Sequence, residues 1–360
     1  MLPSMNVHDL ISALDDPTRL RLLRLLARME LAVGELAEVL DQSQPRISRH
    51  VRILTEAGLI EKRKEGSWVF LSAAGHDGNG QDGGSIVARA EALLAAAEAE
   101  DAAFAATCGA DRARLAAIRA AREDIAEKYF ARHADEWDAL RSLHSPDGAV
   151  EAELTRLLGV ADALDDPAPP TGILGRLLDI GTGTGRMAEI YAPSADHVAA
   201  IDKSPEMLRI ARARLQHLPP ARLSLLQGDF LNLPFDAECF DTVLFHQVLH
   251  YAQAPERALA EAARVTKPGG RIAIVDFAAH SREDLRTEQA HARLGFTDGQ
   301  MRALLEEAGF APGPDSSLSG SELTVRIWTG KRPGTVHQLA DRGGDRTDTT
   351  RKASPRKASQ

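Results

Sequence analysis

Leu177-Leu178-Asp179-Ile180-Gly181-Thr182-Gly183-Thr184-Gly185-Arg186, the run LLDIGTGTGR at 177–186, decides the fold of this chain. Leu177, Leu178 and Ile180 around Asp179 suit a parallel strand covered on both faces. Gly181, Gly183 and Gly185 then allow the backbone close to a ligand that any Cβ would push away. A nucleotide-like ligand is the expected occupant.

Outward from this strand, RLLDI, HVAAI, LSLLQ, TVLFH and RIAIVDF alternate with helical stretches between Gly175 and about Trp328. Such alternation predicts βαβ units and a mostly parallel sheet. HARLGFTDGQMRALLEEAGF reads as the last helix unit before a final strand, LTVRIW, with Gly309 and Phe310 as helix stop and packing residue. Asp202 follows the second strand, about 20 residues past the glycines, where an acid accepts both hydroxyls of a ribose. Strand three leads into GDFLNLPF. There Asp229 is placed to accept from an exocyclic amine and Phe230 to lie against a purine ring. His246, His250 and Tyr251 follow strand four, at the sheet edge where open α/β folds bind ligands. Either histidine is a candidate general base, and the competing reading is a hydrogen-bonded structural group. The glycine turn is followed by no basic group suited to a pyrophosphate other than Arg186, which disfavours a dinucleotide.

The chain has 360 residues, more than one average domain, and its 44% apolar content supplies core for two or three. A formal charge of -9 argues against wholesale coating of nucleic acid and leaves room for a small basic reading head. Cys108 and Cys239 stand far apart and form no CxxC or Cys/His arrangement, so neither a disulfide framework nor a zinc site is indicated. No apolar stretch reaches the length of a membrane span, and charges occupy the N-terminus where a signal peptide needs an apolar run. A soluble, cytoplasmic protein with no membrane partner is expected.

From Val7 to about Ser72 the apolar spacing is helical, and Asp16 before Pro17 makes a helix start. Glu35–Leu40, a turn at Asp41–Ser43 and Gln44–Ala57 have the organisation of a helix-turn-helix, with Ser43 as N-cap. Ile47, Val51 and Leu54 would face the core, which turns Gln44, Ser48, Arg49 and Arg52 outward, with Arg46 and His50 adding charge. Next, EKRKEGSWVFLS predicts a β-hairpin turning at Glu65 and Gly66, with Lys62, Arg63 and Lys64 near its tip. A basic hairpin beside a recognition helix is a wing that tracks phosphates.

These residues resemble the winged-helix repressors of the ArsR family: ALDDPTRLRLLRLL and VGELAEVLDQSQPRISRHVRILTEAGLIEKRKEGSWVFL follow its pattern over nearly the whole domain. The resemblance implies a homodimer on a pseudo-palindromic double-stranded DNA operator. Metal-sensing members carry paired cysteines where this chain has Ala32, Val33 and Gly34, so metal sensing there is not expected. The order of motifs from Leu174 to Trp328 resembles class I S-adenosylmethionine-dependent methyltransferases of the UbiE-like small-molecule group. By that resemblance Asp179, Gly181, Thr182 and Gly183 surround the amino-acid portion of the cofactor and Asp202 its ribose. Lys203 and Met207 then take the adenine side, Asp229 and Phe230 the adenine, and His246 the region by the sulfonium. YFARHADEWDALR at 129–141 resembles the lid helix that precedes this domain in the family, although Tyr129, Phe130 and Trp137 also suit ordinary core packing. With only two thiols, the cysteine triad of arsenic methylation is missing.

The expected architecture is α/β with an N-terminal all-α, winged-helix domain and a Rossmann-like, seven-stranded class I methyltransferase sheet. Its parts are a winged helix at 1–75, a flexible linker at 76–85, a helical connector and lid at 86–172, the methyltransferase domain at 173–330 and a disordered basic tail at 331–360. Within the connector, Gly109 is expected to break the alanine-rich run into two helices, forming an interdomain spacer or a dimer contact. Two functions stay open. In one, the chain regulates transcription and also methylates a small-molecule, quinone-like acceptor, with His246 or His250 as base. In the other, it is a non-catalytic repressor that senses S-adenosylmethionine or S-adenosylhomocysteine and controls methionine-cycle genes.

Overall fold

The computed structural model describes residues 7–27, 29–65, 68–74, 86–144, 147–160, 172–320 and 322–334. The hairpin turn residue Gly66, the linker at 76–85, residues 161–171 at the end of the connector and the tail beyond 334 lie outside the described residues.

The chain opens with α1 (Val7–Leu14) and α2 (Pro17–Leu26). Asp16 caps α2 by accepting from the Arg19 N–H at 3.0 Å, and Pro17 occupies the first turn, where no N–H is needed. Next come β1 (Leu31–Ala32), α3 (Val33–Leu40), α4 (Gln44–Glu56), β2 (Ile60–Glu65) and β3 (Trp68–Ala73). Asp41, in a left-handed conformation at φ 52°, ends α3 and turns the chain into α4. Ser43 stands at the N-cap of α4 but its side chain makes no capping bond. Ile47, Val51 and Leu54 are fully buried, as their spacing predicts, and the three strands pair antiparallel in the order β1-β3-β2.

Two long helices follow, α5 (Ile86–Glu100) and α6 (Ala102–His133). The expected break at Gly109 does not occur. Asp101 sets the boundary instead, because its carboxylate accepts from the N–H groups of Ala103 and Phe104 at 2.8 and 3.1 Å and so starts a new helix. These helices also do more than space two domains. Ala90, Leu94 and Leu115 join Leu22, Leu36 and Leu54 in one core, and Asp111 accepts two bonds from Arg21 at 2.7 and 2.5 Å. Helices α7 (Trp137–His144) and α8 (Asp147–Leu157) then lead to the sheet.

The second domain runs β4 (Arg176–Ile180), α9 (Arg186–Tyr191), β5 (His197–Asp202), α10 (Pro205–Arg214), β6 (Leu223–Gln227) and β7 (Phe240–His246). It continues with α11 (Pro255–Val265), β8 (Thr266–Phe277), α12 (Asp284–Glu288), α13 (Asp298–Glu307), β9 (Ala311–Ser319) and β10 (Thr324–Lys331). The seven-stranded order is β6-β5-β4-β7-β8-β10-β9, parallel from β6 to β8, with β10 antiparallel to both neighbours. Strand β9 was not among the strands drawn from the sequence: Pro312, Pro314 and a run of serines conceal it, and Pro is tolerated there because β9 is an edge. Alternate residues of β4 enter two cores, Leu177 with Tyr191 and Val198 on one face, Leu178 and Ile180 with Val243 and Leu259 on the other. Since β5 and β6 lie to one side of β4 and β7 and β8 to the other, the strand order reverses at the carboxyl end of β4. A crevice opens at such a point.

Candidate functional site

The crevice holds about 1190 Å³ of space, part of it open to solvent. Asp179, Gly181, Thr182, Gly183, Asp202, Lys203, Met207, Asp229, Phe230 and His246, far apart in sequence, all line it. Gly183, at φ 54°, turns towards the Trp137 indole, whose Nε1 would lie 3.5 Å from an added Cβ. Gly185 is needed for a different reason: a Cβ there would strike Leu215 at 2.9 Å, so this glycine serves helix packing and not a ligand.

Asp179 is almost wholly buried, and its Oδ2 accepts from the Thr182 hydroxyl at 2.6 Å while Oδ1 has no partner. Burial pushes its pKa up to about 6, against the Thr182 hydrogen bond and with the nearby Asp202 charge adding to the rise. A carboxylate oxygen left bare in such a place is open to a hydrogen-bond donor or a cation. Asp202, at the end of β5, accepts from the Gly183 N–H at 2.8 Å and the Ser204 N–H at 2.9 Å, which fixes both oxygens beside the glycine turn. Lys203 meets Glu127 at 2.7 Å, Glu123 at 3.2 Å and Asp229 at 3.9 Å. Burial opposes its charge, but the two glutamates outweigh that and raise its pKa.

Helix α7 closes the cavity from above. Asp138 accepts from Thr184 at 2.7 Å and pairs with Arg214, which fastens α7 to the glycine turn. Phe130, Trp137 and Tyr251 form its aromatic wall, with Phe130 edge-on to Trp137 and to Tyr251 at 5.3 and 4.8 Å between ring centroids. Tyr129 is buried against His133 and lines no part of the cavity, so core packing accounts for it. Sequence reasoning passed over Arg141, Glu123, Glu127 and Gln247. Arg141 was within reach, since it stands one helical turn after Trp137 and therefore shares its face. Its Nη2 meets Asp147 at 3.2 Å and its Nη1, buried, has no partner. Gln247 gave no local signal: its position depends on the chain leaving β7 at φ 53°.

The two histidines part company. His246 lines the cavity with Nε2 unpartnered, and burial, reinforced by the Arg141 charge, pushes its pKa down to about 3. It faces the cavity as a neutral imidazole, and the lowered pKa makes it a weak base there. His250 lies outside the lining. Its Nδ1 is 2.8 Å from Asp276, and its ring packs on Tyr251 and His291, so it holds structure behind the aromatic wall and cannot touch a ligand in the cavity.

On the N-terminal domain Gln44, Arg46, Ser48, Arg49 and Arg52 are exposed on one side of α4, and Lys62 and Lys64 are exposed on β2. Arg63 is a correction. Strand alternation turns it to the opposite face, where it donates to Glu30 at 2.9 and 2.8 Å and lies over Phe70. His50 is half-buried, and burial lowers its pKa, so it adds no charge to the face.

Residues 16–62 match the sequence model of the bacterial regulatory protein arsR family, and residues 178–274 match that of the methyltransferase domain. The demethylmenaquinone methyltransferase of Renibacterium salmoninarum is 32% identical over 153 residues, which span 42% of this chain and 60% of that protein. The enzyme of the same name from Clavibacter sepedonicus is 40% identical over 102 residues, 28% of this chain and 41% of its own. Among solved structures, a SAM dependent methyltransferase from Aquifex aeolicus aligns at 19% identity with a TM-score of 0.41, covering 54% of this chain and 97% of that one. Among the described residues no helix is long and apolar enough to cross a membrane.

Proposed function

We propose that this chain, in which an arsR-type helix-turn-helix is joined to a methyltransferase domain, is a DNA-binding regulator that transfers methyl groups from S-adenosylmethionine to a small molecule. The observation that carries the proposal is the pair of buried, oppositely charged, unpartnered atoms at the cavity, Asp179 Oδ1 and Arg141 Nη1. An α-amino acid end, ammonium and carboxylate together, satisfies both. Asp202, Asp229 and Phe230 remain for the ribose, the exocyclic amine and the purine face. When bound, the cofactor supplies a methyl group on a sulfonium, open to in-line attack.

The chain's own part is positioning and exclusion of water. Phe130, Trp137 and Tyr251 wall off the cavity, and His246, held neutral, offers a hydrogen bond without taking up a proton. The acceptor therefore loses its proton elsewhere or arrives ionised. A quinone-like acceptor in its reduced form, whose hydroxyls can ionise, meets that condition, in keeping with the names of the two relatives. On the DNA side, Gln44, Arg46, Ser48, Arg49 and Arg52 read the major groove while Lys62 and Lys64 hold phosphates, in a homodimer and in the cytoplasm.

A second function, sensing without turnover, is favoured by one feature. Helix α6 belongs to both domains: Arg122 donates to Glu35 of α3 at 2.9 Å, and the next residue, Glu123, lines the cavity. A labelled-methyl assay over candidate acceptors, run beside DNA titrations with S-adenosylmethionine and S-adenosylhomocysteine, separates the two. Turnover indifferent to DNA supports the enzyme; ligand-dependent DNA affinity without turnover supports the sensor; neither ligand binding refutes both.

A further inference from the structure

A second cavity, of about 760 Å³, lies between the wing and the sheet domain. Trp68 and Phe70 of β3, Arg122 of α6, and Arg286 and Arg293 from around α12 form its walls, and it shares Gln253 with the larger cavity. None of the roles proposed above uses it.

Its chemistry is distinctive in charge and in shape. Its lining sets Arg122, Arg286 and Arg293 beside Glu30 and Glu35: Arg293, with Arg63, converges on Glu30, while Arg122, with Arg119, converges on Glu35 and also meets Glu38 at 3.3 Å. Arg286 pairs with Glu283 at 3.3 Å and donates to the Ala292 carbonyl at 2.5 Å. Burial lowers the pKa of Arg119 in spite of the opposing charges of Glu35 and Glu256, and Arg293 and Arg122 add smaller lowering contributions. Arg293 is itself buried, and its Nε has no hydrogen-bond partner. The walls are also flat. The Arg286 guanidinium lies 4.4 Å from the centre of the Trp68 ring and that of Arg293 lies 5.5 Å from Phe70, while the two rings stack at 6.0 Å and 28°.

We propose that this cleft is a binding site for a small planar aromatic anion, a carboxylate or phenolate, held flat against Trp68 with its charge towards Arg286 and Arg293. An anion offers an acceptor to the buried, unpartnered Arg293 Nε, and a flat ring adds to the layers of arginine and aromatic side chains already there. Trp68 and Phe70 pair with Glu65 and Arg63 across the hairpin that also carries Lys62 and Lys64, so a ligand here touches the DNA-reading wing as well as the sheet domain. The site stands independently of methyl transfer.

Calorimetry on the full chain with 1-hydroxy-2-naphthoate as probe, and with its neutral methyl ester as control, tests the proposal. The anion is expected to bind about tenfold or more tightly than the ester, and equally well when S-adenosylhomocysteine is already present. Arg286→Gln and Trp68→Leu should each weaken the probe by about tenfold or more while leaving circular dichroism unchanged. Absence of heat from the probe overturns the proposal and leaves the cleft as interdomain packing. So does equal binding of the ester, displacement of the probe by S-adenosylhomocysteine, or two well-folded variants that bind as the parent does. S-adenosylhomocysteine heats, recorded separately, report on the larger cavity alone.

Discussion

Asp179 concentrates the chemistry of the larger cavity in one carboxyl group. Its pKa is raised from 3.8 to about 6, so between those values the folded protein keeps a proton that the unfolded chain has lost. The unliganded fold accordingly loses stability as pH rises through that window and changes no further above it. Ligand binding runs the other way, because an ammonium needs the ionised carboxylate. Affinity for S-adenosylhomocysteine is expected to fall about tenfold between pH 7 and pH 5, and calorimetry at the two values checks it. Asp179→Asn should bind weakly and lose most of this pH dependence; a parent protein with a flat profile would remove Asp179 from the site. Asp202→Ala should weaken the same ligand by about 1 to 3 kcal/mol without unfolding the chain, since it removes two partly buried hydrogen bonds to backbone N–H groups and leaves the apolar cores untouched. Asp179 and Asp202 were legible in the sequence because each ends an apolar strand, and strand ends are local. Arg141 was within reach through its helical spacing from Trp137, whereas Gln247 was not, because its place depends on how the chain leaves β7 at φ 53°.

At the scale of elements, α4 and α6 differ in how well their sequences announce them. Helix α4 has a buried stripe and a polar face, and its reading side stands exposed as the spacing predicts. Arg49→Ala is expected to cost about 1 to 3 kcal/mol in operator affinity if Arg49 forks onto a guanine edge; a uniform, smaller loss over all DNA sequences would make it a phosphate contact. Helix α6 is harder to read. Composition predicted a break at Gly109, yet the helix passes through it and a Cβ there would meet nothing within 4 Å. Gly109→Ala is therefore expected to stabilise the protein by about 0.5 to 1 kcal/mol, measured by urea unfolding. The same physics explains Arg63: propensity placed it on a basic tip, but alternation along β2 gave it to the interior ion pair with Glu30.

Across the whole molecule, α6 serves as a core helix of the DNA-reading head and as one wall of the ligand cavity, so the two domains share a rigid element. Two apolar residues of the head are exposed: Ile11 on α1 at 62% and Leu93 on α5 at 63%. Burying both against a second copy would pair two α4 helices for a palindromic site. Leu93→Glu is expected to shift sedimentation equilibrium towards monomer, and an unchanged dimer would place the interface elsewhere. The sequence by itself determined the two domain types, the parallel strands β4 to β8 and the ring of cavity residues after them, because apolar period, glycine turns and strand-end acids are short-range signals. Only the tertiary structure decided that His246 is neutral, that His250 sits behind the aromatic wall and that Arg63 faces inward. It also decided that a second, arginine-rich cleft separates wing from sheet. Burial and charge proximity between residues distant in the chain govern all of these, and neither is set until the domains pack.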